Sequence, residues 1–235
     1  MAKLLEQARA NLTFILVCGL IIAGLALAAR IAERFLPAKR KVTAARRVTI
    51  VSICAALATV LHILDFPLPF LAPEFYKLDF SELPALVASF VVSPVAGVAV
   101  CLVKNLINLF FTTTGGAGEL CNFLMGVTMV LPAGLFYRYR KTRGGAIIAC
   151  LLGSSVMAGV SLLINYYISY PVYAQVFAPM DVILGAYQSL NPNVNDLWDA
   201  LIWFNMPFTF VKGIVVSAIT FVIYKPLSNA LKKLW

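Results

Sequence analysis

The side chains best able to do chemistry in this sequence are polar groups inside long apolar stretches. Lys212 lies midway along the last of these stretches, too far from either end for its ammonium to reach water easily. A charge in such a place usually faces a cavity or an opposite charge. Lys212 therefore either forms a structural ion pair with a carboxylate such as Glu119, or faces a bound ligand.

Two further polar residues extend the surface around Lys212. Thr209 precedes Lys212 by three residues, and Asn205 precedes Thr209 by four, so all three share one face of a helix. Such a stripe is either one wall of a binding cavity or a packing contact between helices.

Asn165 lies near the outer end of the preceding apolar stretch, where Tyr166 and Tyr167 follow it. An amide at this depth has two plausible roles. It either makes an interhelical hydrogen bond, worth only about 1 kcal/mol, or reads the edge of a planar polar ligand.

A second polar strip precedes the glycine-rich turn 115–118. Asn105 and Asn108 are three residues apart, and Lys104 lies beside them. Lys104 either belongs to a ligand site or pairs with Asp79 or Glu82 away from any ligand.

The glycine-rich turn 115–118 precedes Glu119 and Asn122. Backbone N–H groups in such a turn can bind an anion, but the acidic Glu119 argues against a bare phosphate. The single histidine, His62, is interpreted as a packed residue.

Known catalytic patterns are missing from the sequence. It contains no phosphate-binding nucleotide loop, and its apolar stretches hold no converging acids, His–Glu pair or metal-ligand cluster. The cysteines lack paired spacing and are interpreted as small apolar residues: Cys18, Cys54, Cys101, Cys121 and Cys150. We therefore expect no enzyme activity, no cofactor and no metal site.

The composition identifies the environment in which these residues lie. Hydrophobic residues make up 61% of the chain and charged residues only 12%, and the mean hydropathy is +0.89. Soluble domains carry about 25% charged residues. The sequence therefore predicts an all-α integral membrane protein in a lipid bilayer.

The net charge of +9 is sorted along the chain in a way that gives an orientation. Basic residues concentrate in 30–47, 138–143 and 225–233, each beside an apolar stretch. This is the pattern of cytoplasmic loops under the positive-inside rule, rather than of a nucleic-acid-binding surface. We expect a multi-pass protein of the bacterial plasma membrane.

Hydropathy predicts two units, an N-terminal anchor with a basic linker (1–47) and a six-helix domain (48–235). The predicted anchor helix is 11–29. The later helices are expected at 48–64, 80–92, 95–111, 119–137, 146–170 and 198–224, with an amphipathic tail at 227–235. The segments 65–79 and 171–197 are expected to be outer loops. The helix at 80–92 is too short to cross upright and must tilt, stop short or be shielded.

The first helix of the six-helix domain carries a face of small residues, among them Cys54, Ala55 and Ala58. Small residues let another helix approach closely in lipid. The face therefore either packs within this chain or docks a separate partner.

Several motifs, in order, resemble the substrate-binding S components of energy-coupling factor (ECF) transporters. They begin with YKLDFSELPAL (76–86), SPVAG (93–97) and KN (104–105). More specific are TTGGAGELCNFLMG (113–126), NYY (165–167) with PVY (171–173), and the pairs PF (207–208) and KG (212–213), which resemble the riboflavin-specific branch. The resemblance covers about residues 48–224.

The resemblance implies a six-helix bundle that captures riboflavin as its transported ligand. It also implies docking on a transmembrane coupling subunit with two ATPase subunits, with Cys54, Ala55 and Ala58 as the docking face. The loops 65–79 and 112–118 would act as lids. Any ATP-driven step would have to be powered by such a partner, since this sequence has no ATP-binding motif.

Asn165 and Lys212 would hydrogen-bond the isoalloxazine ring. The branch often has Asn where this chain has Thr209, and Asn205 would compensate from the next turn. The remaining candidate contacts are Glu119, Asn122, Tyr76 and Asn108. Tyr76, Tyr166 and Phe208 would supply aromatic surface for the flat ring. The alternatives are an S component for another vitamin or flavin-related compound, and a solitary facilitator.

Overall fold

The computed structural model describes most of the membrane domain. The described residues are 20–21, 23–25, 27–32, 34–35, 43–67, 73, 77–112, 114–176 and 178–233, with side chains as far as residue 223. Most of the predicted anchor helix 11–29, part of the basic linker and Tyr76 therefore lie outside the described residues.

The chain folds mainly into helices connected by short loops. In chain order the elements are α1 (Ala44–Ile63), β1 (Phe66–Pro67), β2 (Lys77–Leu78), α2 (Glu82–Val91), α3 (Pro94–Asn108), α4 (Ala117–Tyr139), α5 (Arg143–Ile164), α6 (Tyr170–Val176), α7 (Met180–Gln188), α8 (Leu197–Ala200) and α9 (Met206–Lys233). A 3₁₀ turn (Leu109–Phe111) follows α3. Single π-helical turns join α5 to α6 (Asn165–Ser169) and α8 to α9 (Leu201–Asn205).

Among the described residues, five helical segments are long and apolar enough to cross a membrane: Ala44–Ile63, Pro94–Phe111, Ala117–Tyr139, Arg143–Val176 and Leu197–Ile223. The short helix α2 is buried along nearly its whole length. It packs against α1, α3, α4 and α9. The sequence predicted that this short helix must tilt, stop short or be shielded, and the structure shows that its neighbours shield it.

Local sequence signals explain where two of these helices begin. The Ser93 hydroxyl accepts a hydrogen bond from the Ala96 N–H at 3.2 Å, and Pro94 occupies the first turn of α3. Thr142 caps α5 in the same way, with its hydroxyl 2.9 Å from the Gly145 nitrogen. Each cap satisfies an N–H group that would otherwise lack a partner.

Two predicted helix ends are wrong because proline did not end the helices. The helix expected to end at residue 170 continues as α6 to Val176, and Pro171 lies in the first turn after the π-helical turn. The last helix continues through Pro226 to Lys233. Membrane helices tolerate such prolines because neighbouring groups satisfy the lost hydrogen bond. The segment 171–197, expected to be a loop, also contains α7.

The predicted loop 65–79 has a small regular element at its described ends. The strands β1 and β2 pair antiparallel, with Phe66 opposite Leu78 and Pro67 opposite Lys77. This pairing holds the two ends of the loop together directly above the start of α2.

The apolar interior has two main centres. The larger joins α1 to α5 with α9, and the smaller lies among α6, α7 and α8. Helices α5 and α9 approach closely at Gly213, where a Cβ atom would lie 2.7 Å from the Ser154 hydroxyl oxygen. This close approach fixes the position of Lys212, the preceding residue.

Candidate ligand-binding site

A cavity of about 200 Å³ lies where the two apolar centres meet. Met157 of the larger centre and Tyr170 of the smaller one both line it. Five of the residues predicted from sequence line this cavity: Asn122, Asn165, Asn205, Thr209 and Lys212. These side chains come from three parts of the chain that are distant in sequence, and they meet at one place.

Lys212 is held by two carboxylates. Its Nζ atom donates a hydrogen bond to Asp79 Oδ2 at 2.8 Å and lies 3.3 Å from Glu82 Oε2. The predicted ion pair therefore exists, but Glu119 is the wrong partner. The Glu119 carboxylate instead accepts a hydrogen bond from the Thr112 hydroxyl at 2.8 Å.

Lys104 balances the second carboxylate from the protein interior. Its side chain is fully buried, and its Nζ atom donates to Glu82 Oε1 at 3.1 Å and to the Ser81 hydroxyl. Of the two roles predicted for Lys104, the structure shows the pairing with Glu82. Two lysines and two carboxylates thus form an ion network without net charge, which lowers the cost of burial.

Asp79 is the member of this network that lies in a loop, between β2 and α2. Burial alone would raise the pKa of its carboxyl. Lys212, with smaller contributions from His62 and Lys104, more than offsets this effect, so the pKa of Asp79 lies well below its ordinary value. Asp79 therefore remains ionised at neutral pH and keeps Lys212 in place.

His62 also belongs to this site. Its Nδ1 atom lies 3.7 Å from Asp79 Oδ2, and the residue lines the cavity from the end of α1. The sequence interpretation of His62 as merely packed missed this contact, since nothing in the sequence brings residue 62 close to residue 79.

An asparagine pair forms the opposite wall of the cavity. Asn165 Nδ2 donates to Asn205 Oδ1 at 3.1 Å and to the Ser161 carbonyl at 2.9 Å. Because the Ser161 carbonyl can only accept, the amide nitrogen of Asn165 must face it. Both N–H groups of this amide are therefore used within the protein, and the carbonyl oxygen is the atom suited to accept from a ligand.

Each asparagine of this pair lies in a π-helical turn. Asn165 is the first residue of one turn, and Asn205 is the last residue of the other. In these turns the backbone bonds skip one residue more than in an α-helix: the Tyr170 N–H bonds the Asn165 carbonyl, and the Met206 N–H bonds the Leu201 carbonyl. Such turns occur frequently at functional sites. No hydrophobic pattern in the sequence predicted them.

Asn122 presents a buried acceptor at the cavity. Its Oδ1 atom has no hydrogen-bond partner within the described part of the chain. A buried carbonyl oxygen without a donor costs about 1–3 kcal/mol. A ligand that offers an N–H or O–H group here would remove that cost.

The model of the ECF transporter substrate-specific component matches residues 46–224 of this sequence. The chain belongs to this family. It is therefore the substrate-binding component of a transporter and not an enzyme, and it is a multi-pass membrane protein.

Curated relatives of this S component carry consistent names. It is 34% identical over 189 residues to "Riboflavin transporter RibU" of Staphylococcus aureus, an alignment that covers 80% of this chain and 94% of the relative. It is 28% identical over 184 residues to "Riboflavin transporter FmnP" of Bacillus subtilis, covering 76% of this chain and 90% of the relative.

A solved structure has the same fold. The study "Structure and mechanism of the S component of a bacterial ECF transporter" describes a chain 34% identical to this one, with a TM-score of 0.64. The match covers 81% of this chain and 99% of that one. The described membrane domain therefore has the architecture of an S component.

Two predicted contact residues, Glu119 and Asn108, do not line the cavity of this S component. Glu119 is engaged by Thr112 at the start of α4. Asn108 is buried at the end of α3 outside the cavity lining, and its Nδ2 atom has no partner within the described residues. Tyr76 lies outside the described residues.

The aromatic surface of the cavity differs from the one expected. Phe208 lines it as predicted, whereas Tyr166 stacks on Trp198 with ring centroids 4.4 Å apart and is not among the lining residues. Tyr170 and Tyr173, which the sequence analysis did not select, take that place. The cause is the π-helical turn, which changes the helix face on which residues 170 and 173 lie.

The predicted docking face of this S component points inward. Cys54, Ala55 and Ala58 are 5%, 1% and 0% exposed, and α1 packs through this side on α2 and α3. Of the two interpretations of these small residues, the structure shows packing within the chain. Ser52 and Ala56, one turn apart on the same helix, are exposed instead.

Among the described residues, no group of three or more His, Cys, Asp or Glu side chains is arranged to hold a metal ion. The polar groups of the cavity are hydrogen-bond donors and acceptors. Their geometry suits recognition of a neutral polar molecule.

Proposed function

We propose that this chain is the riboflavin-binding subunit of an ECF-type vitamin uptake transporter. The observation that carries the proposal is the similarity to two riboflavin transporters along nearly their whole length, at 34% and 28% identity. The chemistry of the cavity supports it, since the lining combines separate donors and acceptors with aromatic side chains.

Riboflavin is flat and neutral, and one edge of its ring alternates carbonyl acceptors with an N–H donor. The Lys212 ammonium has three N–H donors, and its two carboxylate neighbours leave one for a ring carbonyl. The Asn165 carbonyl would accept the ring N–H. Asn122 and Thr209 would bind the remaining polar edge or the ribityl hydroxyls, and Phe208 would pack on the ring.

Ligand entry would require movement at the rim. Pockets for ligands of this size usually measure about 300–1,000 Å³, whereas this cavity measures about 200 Å³. Asp65 and Lys77, at the two ends of the loop 65–79, line the cavity and form an exposed ion pair at 3.1 Å. We propose that this loop and the turn 112–118 open together as the lid.

The membrane domain would contain six helices, five spanning segments and the short buried α2, preceded by an additional N-terminal transmembrane helix at about 11–29. The boundary between the two units would lie near residue 47. The domain would dock on a transmembrane coupling subunit with two ATPases. The exposed Ser52 and Ala56 are a better-placed docking surface than the buried Cys54, Ala55 and Ala58.

The proposal is tested by purifying the full chain in detergent, recording the flavin absorption bands and titrating riboflavin. We expect tight, saturable binding that Asn165→Ala and Lys212→Ala each weaken at least tenfold. Asn195→Ala, an exposed asparagine outside the cavity, is the matched control and should bind like the wild type.

Three outcomes separate the alternatives. Retention of a different vitamin with no riboflavin binding would contradict the substrate assignment. Unchanged affinity in both cavity variants would refute the site assignment alone. Riboflavin uptake by cells that lack an energising module would identify a solitary facilitator.

A further inference from the structure

We propose that the cytoplasmic end of this protein carries a binding site for an anionic phospholipid, between helices α5 and α9. This site lies at the end of the domain that the basic loop 138–143 marks as cytoplasmic, and it shares no residue with the ligand cavity. Two adjoining depressions on the same helix pair carry the inference: one includes two basic side chains in its lining, and the other is apolar.

The basic depression has a volume of about 510 Å³ and lies at the α4–α5 connection. Lys141 and Arg143, both exposed, line it together with Tyr137 and Thr142. A basic pocket between helices on the cytoplasmic side is suited to the phosphate of a lipid headgroup.

The start of α5 favours an anion in this pocket. The first turn of α5 contains Arg143 and no acidic residue. The N-terminal end of a helix is the positive end of its dipole, so a cation there is unfavourable. A phosphate beside Arg143 would compensate both the guanidinium charge and the helix terminus. The electrostatic energy of Arg143 at the start of α5 is thus unfavourable without a ligand and favourable with an anion bound.

An apolar groove of about 200 Å³ continues from this pocket into the membrane. Ile147 and Leu151 of α5 line one side, Ile214 and Ala218 of α9 line the other, and Phe221 lines both the groove and the pocket. Along α5, the eight residues from Arg143 to Leu151 correspond to about 12 Å. That length accommodates the upper part of an acyl chain.

The combination identifies one kind of ligand. A free phosphate would use the basic pocket but would leave the apolar groove uncovered, and a neutral lipid would use the groove without balancing Arg143. A phospholipid of net negative charge, such as phosphatidylglycerol, satisfies both parts at once.

The test measures phospholipid retained by the full chain after equilibration with vesicles of equal parts phosphatidylglycerol and phosphatidylcholine. The wild type should retain phosphatidylglycerol in at least several-fold excess, as counted by native mass spectrometry. Arg143→Gln should remove this preference. Arg140→Gln, which removes the same charge from an exposed position outside the pocket, should keep it.

A second pair of variants tests the groove without changing the charge. Ala218→Phe fills the groove and should reduce total retained lipid, whereas Ala56→Phe, at an exposed position on α1, should not. Equal loss in Arg143→Gln and Arg140→Gln, full retention in Ala218→Phe, or displacement of the lipid by inorganic phosphate alone would each overturn the proposal. Unchanged thermal unfolding would show that the variants fold.

Discussion

Lys104 and Asn122 are both polar groups inside an apolar bundle, but the protein satisfies them differently. Lys104 is completely enclosed and bonded to Ser81 and Glu82, so its role is to balance a carboxylate that the site requires. Asn122 has an acceptor, Oδ1, at the cavity that receives no hydrogen bond from the described residues. The first residue therefore contributes to stability, and the second, in our proposal, contributes to binding.

Lys104→Met should lower the free energy of unfolding by about 3–5 kcal/mol, because it leaves Glu82 buried with one fewer counter-charge. The measurement is chemical or thermal unfolding of the purified protein in detergent. Lys77→Met is the matched control. Lys77 pairs with Asp65 at the exposed rim, so its loss should cost at most about 1 kcal/mol. Equal losses would contradict the structural role of Lys104.

Asn122→Leu should weaken ligand binding without lowering stability. Removing a buried acceptor that lacks a partner should leave the stability of the ligand-free protein unchanged or slightly higher. Riboflavin affinity should fall about tenfold, the equivalent of about 1.4 kcal/mol for one hydrogen bond. Titration and unfolding of the same preparation check both parts, and a stability loss without an affinity loss would refute the assignment.

Asp79 should give stability a defined dependence on pH. The pKa of Asp79 is lower in the folded protein than in the unfolded chain. The stabilisation by its ionised carboxylate is therefore fully present above about pH 4, the ordinary pKa of an aspartate. That contribution is lost as the pH falls toward the folded pKa. The free energy of unfolding should therefore fall more steeply for the wild type than for Asp79→Asn when it is measured from pH 7 down to pH 3.

At the scale of elements, the two π-helical turns decide which side chains reach the cavity. Each turn contains one more residue than an α-helical turn, and this changes the face presented by the following helix. Asn165 and Asn205 meet across the helix pair, and Ser169, Tyr170 and Tyr173, at the end of the first turn and after it, line the same cavity.

Deleting Tyr167, which is 68% exposed, should convert the first π-helical turn into an ordinary α-helical turn. The helix after the turn would then rotate relative to Asn165, and riboflavin affinity should fall by more than tenfold. Circular dichroism should show unchanged helix content. Tyr167→Ala keeps the extra residue and should bind like the wild type; a deletion variant with normal affinity would show that the turn is dispensable.

At the scale of the whole molecule, α1 has an inner face committed to packing and an outer face that remains exposed. The inner face holds Cys54, Ala55 and Ala58, and the outer face includes Ser52 and Ala56. Any partner that approaches α1 in this conformation meets the outer face. The docking proposal therefore concerns Ser52 and Ala56.

Ala56→Phe should prevent co-purification of the energising module, because a large side chain blocks close helix approach. Riboflavin binding by the isolated chain should remain normal. Ala218→Phe introduces the same side chain on α9 and should leave the co-purification intact. Co-purification of the module with Ala56→Phe at the wild-type level would exclude this face as the docking surface.

Much of the fold follows from the sequence by itself. Composition, charge placement and apolar stretches identify a multi-pass helical membrane protein, since a chain with so few charges needs lipid as its solvent. The cost of burying charge also made Lys212 stand out within its apolar stretch. Asn165 and Asn205 stood out for the same reason, and the family motifs then predicted that Asn165 contacts the ligand.

Only the tertiary structure decided how these residues are paired. Asp79, Glu82 and His62 meet Lys212 because α1, α2 and α9 come together in space, and no spacing along the chain reveals that contact. The π-helical turns, the extension of helices past Pro171 and Pro226, and the inward direction of Cys54, Ala55 and Ala58 likewise depend on neighbouring helices. The type of a residue sets the free-energy cost of burying its polar group, and the packing of the helices determines which partner offsets that cost.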